Sequence, residues 1–227
     1  MSKSRGNVVD PHAALETYTI DGFRYFLLRE GVPHSDGNYS DEKVVKMLNA
    51  ELGDTLGNLL SRCTAPALNP AQIFPPINAE ILMIEECGQQ GRDLLDKVSN
   101  LAVEVAEHYD ECNFYRGLDA IMSCLRDTNA FIQSQAPWTL KKRPEKQRHL
   151  QTVLHIALES LRVSGLLLQP VMPSLSDSLL TRLGVTPSER TAKYLNCHWG
   201  DKGCNSPYEN RPLGGDKSVL FQKIVTK

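Results

Sequence analysis

The chain has 227 residues, enough for one large domain or one domain with extensions, and its 41% hydrophobic share supplies a core and excludes a disordered tail. The longest apolar runs, such as Gly165-Leu166-Leu167-Leu168, fall far short of the about 20 residues a membrane-spanning helix needs, so a soluble protein is expected. A net charge of −2 and a pI near 6.3 exclude a general polyanion binder; any grip on RNA has to come from a small site of stacking and base-edge hydrogen bonds.

In chain order, the first candidate element is a loop. Met1 to Asp10 carries Ser2, Lys3, Ser4, Arg5 and Gly6 in succession, then Asn7 and Asp10-Pro11. Hydroxyls and N–H groups that donate, a glycine that lets the backbone come close and two cations within three residues suit a phosphate, with Lys3 as a mobile point charge on a flexible stem. A solvated basic terminus is the plain alternative.

Helical spacing governs almost everything that follows. Asp21 can cap a helix carrying Phe23, Phe26, Leu27 and Glu30 that stops at Gly31. Ser40 begins a second, with Val45, Leu48, Leu52, Leu56, Leu59 and Cys63 recurring over about five turns. Pro66 and Pro70 end it, and Phe74-Pro75-Pro76 is a break. A long helix from Ala79 to about Tyr109 has a stripe of Ile84, Cys87, Leu94, Val98, Leu101 and Val105, weakened at Gly88 and Gly91, where a bend is expected. Asn113 opens the next, with Leu118, Ile121, Leu125 and Ile132 inward and an end near Gln135-Ala136 forced by Pro137.

After a polar basic connection from Lys141 to Arg148, Leu150, Val153, Leu154, Ala157, Leu158 and Leu161 mark another helix. Pro170 and Pro173 interrupt the chain, Ser174 restarts it, and Gly184 is a C-cap after Leu183. The last forty or so residues lose periodicity until Val219-Leu220-Phe221, read as a tail that packs back on the body or on an absent portion. With no alternating segment long enough for a sheet, the fold class is all-α, a helical bundle.

The six cysteines (Cys63, Cys87, Cys112, Cys124, Cys197, Cys204) are scattered without a C-x-x-C and fall mostly on apolar stripes, which fits reduced, buried thiols in an intracellular compartment. Cys197-His198 with Cys204 hints at zinc, but no second ligand pair follows at a usual spacing, so no metal site is expected.

Two groups of residues carry recognition chemistry. The second helix leaves Asp54, Asn58 and Arg62 opposite its apolar stripe, with Asn58 and Arg62 one turn apart on one face. An amide with donor and acceptor and a planar guanidinium fork are groups that read an unstacked base. Trp138, just past a helix end and held by Pro137, can present its ring as a stacking platform; plugging the end of the bundle is the competing role. Solvated helix residues are the plain alternative for Asn58 and Arg62. Lys141, Lys142, Arg143, Lys146 and Arg148 follow Trp138, either as a solvated connection or as phosphate contacts.

The string Met1-Ser2-Lys3-Ser4-Arg5-Gly6-Asn7 followed by Val-x-Asp-Pro resembles the signature loop of class I aminoacyl-tRNA synthetases. Asp21 through Glu30, then Asp36, Tyr39 and Ser40, resembles the methionyl-tRNA synthetase family specifically. So do Asn58-Leu59-Leu60-Ser61-Arg62, Gln135-Ala136-Pro137-Trp138 and Pro170-x-x-Pro173, over roughly residues 1–184; the wording looks most like the vertebrate mitochondrial form.

The resemblance implies a remnant of a catalytic domain over 1–39, a helical anticodon-binding domain over 40–184 and an irregular tail over 185–227. It implies that Ser2, Lys3 and Ser4 belong to the ATP loop, with Lys3 the catalytic residue that stabilises charge on the ATP phosphates as the adenylate forms, worth about 3 kcal/mol for a well-placed donor. Pro137 and Trp138 match the family's stacking site for the first anticodon base, and Asn58 and Arg62 its polar readers of CAU. The implied partners are tRNA(Met) and ATP with Mg2+ as substrates of the full-length ligase, in the mitochondrial matrix or alternatively the cytoplasm, with no membrane.

The first lysine of the loop, the nucleotide fold and the methionine pocket are not in the sequence. A fragment without methionine-activating activity is therefore expected. A non-catalytic tRNA-binding module, another class I synthetase (the cysteine or leucine enzyme) and a helical scaffold are the other readings.

Overall fold

The computed structural model describes residues 8–32, 37, 39–83, 87–195 and 206–225, and among these the regular structure is helical, with one isolated antiparallel bridge between Ile73 and Pro212. The loop residues Ser2, Lys3 and Ser4, together with Asp36, Ile84, Cys197, His198 and Cys204, lie outside the described residues.

A short helix absent from the sequence reading comes first. α1 (Pro11–Tyr18) starts because the Asp10 carboxylate accepts from the His12 N–H at 3.0 Å and Pro11 fills a position whose N–H has no helical partner. Thr19, at φ +64, turns the chain and caps α2 (Ile20–Glu30), its hydroxyl accepting from the Gly22 N–H at 3.1 Å. That displaces Asp21 from the expected cap: α2 begins one residue before it. Asp21 is buried and its carboxylate accepts from the Leu175 N–H at 2.6 Å. Leu175 lies in the first turn of α10 (Pro173–Arg182), whose own flanking residue, Met172, has no side chain suited to capping. Asp21 is thus the cap of a helix 154 residues away. Gly31 ends α2 as expected.

The helix predicted from Ser40 forms as three continuous pieces. α3 (Asp41–Leu48) is capped by Ser40, a nine-residue π-helical segment follows (Asn49–Gly57), and α4 (Asn58–Thr64) completes it. Leu48, Leu52, Leu56, Leu59 and Cys63 are fully buried as predicted, whereas Val45 is half-buried and Val44 takes the core position. The described parts of the long helix predicted from Ala79 are α5 (Ala79–Met83) and α6 (Gly88–Asp110); Gly88 and Gly91 both stand in the first turn of α6, and Cys87 before it is in a turn.

α7 (Phe114–Gln135) ends where Pro137 demands it. The proline disfavours the right-handed α conformation in the residue before it, and Ala136 takes φ 43, ψ 61 instead. Pro137 then starts the one-turn helix α8 (Pro137–Leu140). α9 (Gln147–Leu168) is the axis of the bundle: every residue from Thr152 to Leu168 is buried, against α6, α7, α10 and α4. A helix buried all round is covered on every side by its neighbours, which makes it the structural centre. Gly184, at φ +76, follows Leu183 as the predicted C-cap.

The aperiodic tail packs back on this body. Tyr208 and Phe221 enter the core, and the Phe74 N–H and C=O bond to Arg211 and Asn210. Arg162, fully buried on α9, forms a double hydrogen bond to Glu159 at 2.7 and 2.5 Å and lies 4.7 Å from the Tyr208 ring centroid. A buried charge pair of this kind needs such satisfaction to persist.

Candidate nucleic-acid interface

Three elements converge on one surface. α4 begins at Asn58, immediately after the π segment, and carries Arg62 one turn later; α7 contributes Gln133 in its last turn; α8 contributes Trp138. Asn58 is exposed, Arg62 half-buried, and Trp138 is 40% exposed. The Arg62 guanidinium carbon sits 5.5 Å from the Trp138 ring centroid, within cation–π range, and its Nη2 donates to Gln133 Oε1 at a long 3.4 Å. The ring is therefore not a plug in the bundle: its body is anchored beside Arg62 and part of it stays open to solvent.

The anchor under Trp138 is built locally. Ala136 in the left-handed region reverses the chain, its carbonyl accepts from the Thr139 N–H at 2.7 Å, and Pro137 is buried beneath the turn. Pro137 thus starts the turn that carries Trp138 and is itself covered. On the other side, Asn129 of α7 donates to the Thr55 carbonyl at 3.0 Å, tying α7 to the π segment three residues before α4 begins. Asp54, expected opposite the apolar stripe, is exposed and pairs with Lys223 of the tail at 2.5 Å.

An exposed indole face, a guanidinium and a primary amide can stack on and hydrogen-bond a planar heterocycle. None of the three is a general base or nucleophile at neutral pH, so this surface is suited to binding rather than to bond-making. Lys141, Lys142, Arg143 and Arg148 follow on the exposed side, with Lys146 half-buried. A groove of about 600 Å³ runs between Thr17–Asp21 and the tail at Leu220–Ile224.

A charge cluster unmarked by any helical periodicity also involves α7 and the π segment. Tyr25 donates to Glu51 at 2.5 Å, Arg29 bonds Glu51 at 3.4 Å and Asp119 at 2.6 Å, and Arg126 faces both carboxylates at 3.8 and 3.5 Å. Burial first, and then the Glu51 charge, push the Tyr25 phenol well above its ordinary pKa, so it stays a donor. The cluster joins α2, the π segment and α7. Its partners lie 22 to 90 residues apart in Arg29's case, which no local pattern can signal.

Among the cysteines of the described residues, Cys63, Cys87 and Cys124 are buried and Cys112 is exposed. Burial pushes the Cys63 and Cys124 thiols up to about 12 and that of Cys87 to about 11, which makes them inert core groups. Among the described residues no group of three His, Cys, Asp or Glu side chains is placed to hold a metal. The zinc alternative falls on residues outside that set.

Two protein families match the sequence: residues 1–64 match tRNA synthetases class I (M), and residues 91–223, more than half of the chain, match the anticodon-binding domain of tRNA ligase. The chain is similar to the mitochondrial methionine–tRNA ligases of Takifugu rubripes (47% identity over 100% of this chain), Bos taurus (50% over 99%) and Homo sapiens (49% over 99%). It spans 39% of the length of each. A Mycobacterium tuberculosis methionyl-tRNA synthetase solved bound by methionyl-adenylate superposes with a TM-score of 0.84 at 33% identity, over 98% of this chain and 41% of that one.

Proposed function

The chain belongs to the methionyl-tRNA synthetases of class I, and from that premise we propose that its bundle recognises the CAU anticodon of tRNA(Met) through Trp138, Asn58 and Arg62. The observation that carries this reading is the half-open Trp138 ring with Arg62 placed against it at 5.5 Å. An unstacked anticodon base lies on the indole, and the Asn58 amide and the Arg62 fork meet the edges of its neighbours. Pro137 starts the turn that carries the ring. Lys141, Lys142, Arg143 and Arg148 meet backbone phosphates, which adds affinity without reading sequence.

In the full-length ligase this docking holds the distant acceptor end at the catalytic site, where methionine is activated with ATP and its Mg2+. Lys3, with Ser2 and Ser4, handles the ATP phosphates on this reading. Because the chain spans about two fifths of its relatives, we assign it alone no methionine-dependent ATP–pyrophosphate exchange above background. The organellar relatives support a mitochondrial matrix location.

The test is filter binding of tRNA(Met) transcripts that differ only in the anticodon. CAU is expected to bind at least about tenfold more tightly, since losing one stacked or read base costs about 1–3 kcal/mol. Equal affinities would end the anticodon assignment.

A further inference from the structure

The π segment lies between α3 and the two polar readers, and it decides which way they face. Passing from an α to a π ladder accommodates one extra residue, and one residue is about 100° of rotation on a helix. Were Asn49–Gly57 to anneal into α-helix, everything after it would turn by that amount relative to α3, and Arg62 would leave Trp138. π segments are uncommon because the α ladder competes with them, so this one must be held.

The tail holds it. Asn49, at the start of the π segment, makes a paired hydrogen bond with Ile224: its Nδ2 donates to the Ile224 carbonyl and its Oδ1 accepts from the Ile224 N–H, both at 2.8 Å. Lys223 pairs with Asp54 in the middle of the segment at 2.5 Å. Gly53 lets the strap come close, since a Cβ there would stand 3.2 Å from Lys223 Cγ, whereas one on Gly57 would meet Leu220 Cβ at an ordinary 3.9 Å. Phe221 is buried and reaches over to α2, 3.7 Å from where a Gly22 Cβ would be.

From this geometry we propose that residues 220–224 form a strap that locks the π register, and that Asn49 and Lys223 are positioning residues for Asn58 and Arg62. Its functional consequence rests on the anticodon reading and its structural one on the tail's packing against the π segment. It predicts an effect at a distance: neither Asn49 nor Lys223 belongs to the stacking surface, yet both govern its alignment.

The experiment uses the full chain in a Trp199→Phe background, so that Trp138 is the one emitting indole. Asn49→Ala and Lys223→Glu are compared with Arg62→Ala, and with Glu189→Gln, which cuts a tail ion pair (Glu189 with Arg211) outside the strap. Asn49→Ala and Lys223→Glu are expected to move Trp138 emission toward that of Arg62→Ala. They should also cut the preference for the CAU transcript about five- to tenfold, with binding of the changed anticodon held within about twofold. Glu189→Gln should alter neither. Unchanged Trp138 emission in both strap variants overturns the proposal; Lys223 is an exposed side chain, so its variant keeps the test intact if Asn49→Ala fails to fold. If the parent chain itself shows no CAU preference, the anticodon reading falls and the emission comparison alone judges the strap.

Discussion

Trp138 has part of its ring against Arg62 and part in solvent, so on the proposed reading binding and folding can be separated at this residue. Trp138→Ala should weaken CAU-transcript binding by about 1–3 kcal/mol while leaving the unfolding free energy within about 0.5 kcal/mol of the parent, as urea titration will register. Arg62→Lys keeps the charge and loses the planar fork, so it should lose much of the CAU preference without losing salt-dependent affinity. His155 behaves in the opposite way, being a residue of the interior. Its Nδ1 donates to the Pro75 carbonyl at 2.5 Å and its ring meets Phe74 edge-on at 5.1 Å. Burial depresses its pKa below the ordinary 6.5. Below that value the unfolded chain takes up a proton that the folded ring resists, so stability is full above pH 6.5 and falls as the pH drops through the window beneath it. Thermal unfolding at pH 7.5 and 5.5 should show this loss, and His155→Gln should flatten it. Trp138 was readable in the sequence because a proline rule fixes its neighbourhood. Nothing local in the sequence marks His155 as a buried rather than a solvent-facing histidine.

At the scale of elements, helix ends were legible wherever the stop or start is local. Ser40, Gly31, Asn113, Ala136 before Pro137, and Gly184 all act through their own neighbours. The π winding was not, because leucines four apart at Leu48, Leu52 and Leu56 share a face in either ladder. Asp21 is the sharper case. Its position near a helix start suggested a cap for α2, while its carboxylate serves α10 from 154 residues away. Asp21→Ala removes that acceptor and leaves the Leu175 N–H buried, so a destabilisation of about 1–2 kcal/mol is expected. Native-state hydrogen exchange will locate the loss, with amides in the first turn of α10 opening before those of α2.

Taken whole, the molecule is slightly acidic, with its cations beside Trp138 confined to a short run. If Lys141, Lys142, Arg143 and Arg148 are the phosphate contacts, the logarithm of the tRNA association constant should fall against the logarithm of salt with a slope no steeper than about −4, at about 0.9 per neutralised phosphate. Lys142→Gln should relax that slope by about one without changing the preference for CAU. The bundle class followed from periodicity, while the near-neutral charge led to the proposal of a small reading surface rather than an electrostatic one. How the tail returns was only partly legible, since Val219-Leu220-Phe221 signals burial but not the helix it meets.

That return also sets an order of events during synthesis. Asn49 must wait for Ile224, 175 residues later, before its amide is satisfied, and the α2 region must wait for Phe221. Contacts so distant in sequence form late and slowly, and helices made first stand incompletely covered until then. A ribosome-bound chain stopped short of residue 219 should therefore hold its early helices in a chaperone-dependent, protease-sensitive state, and emergence of residues 220–224 should close it.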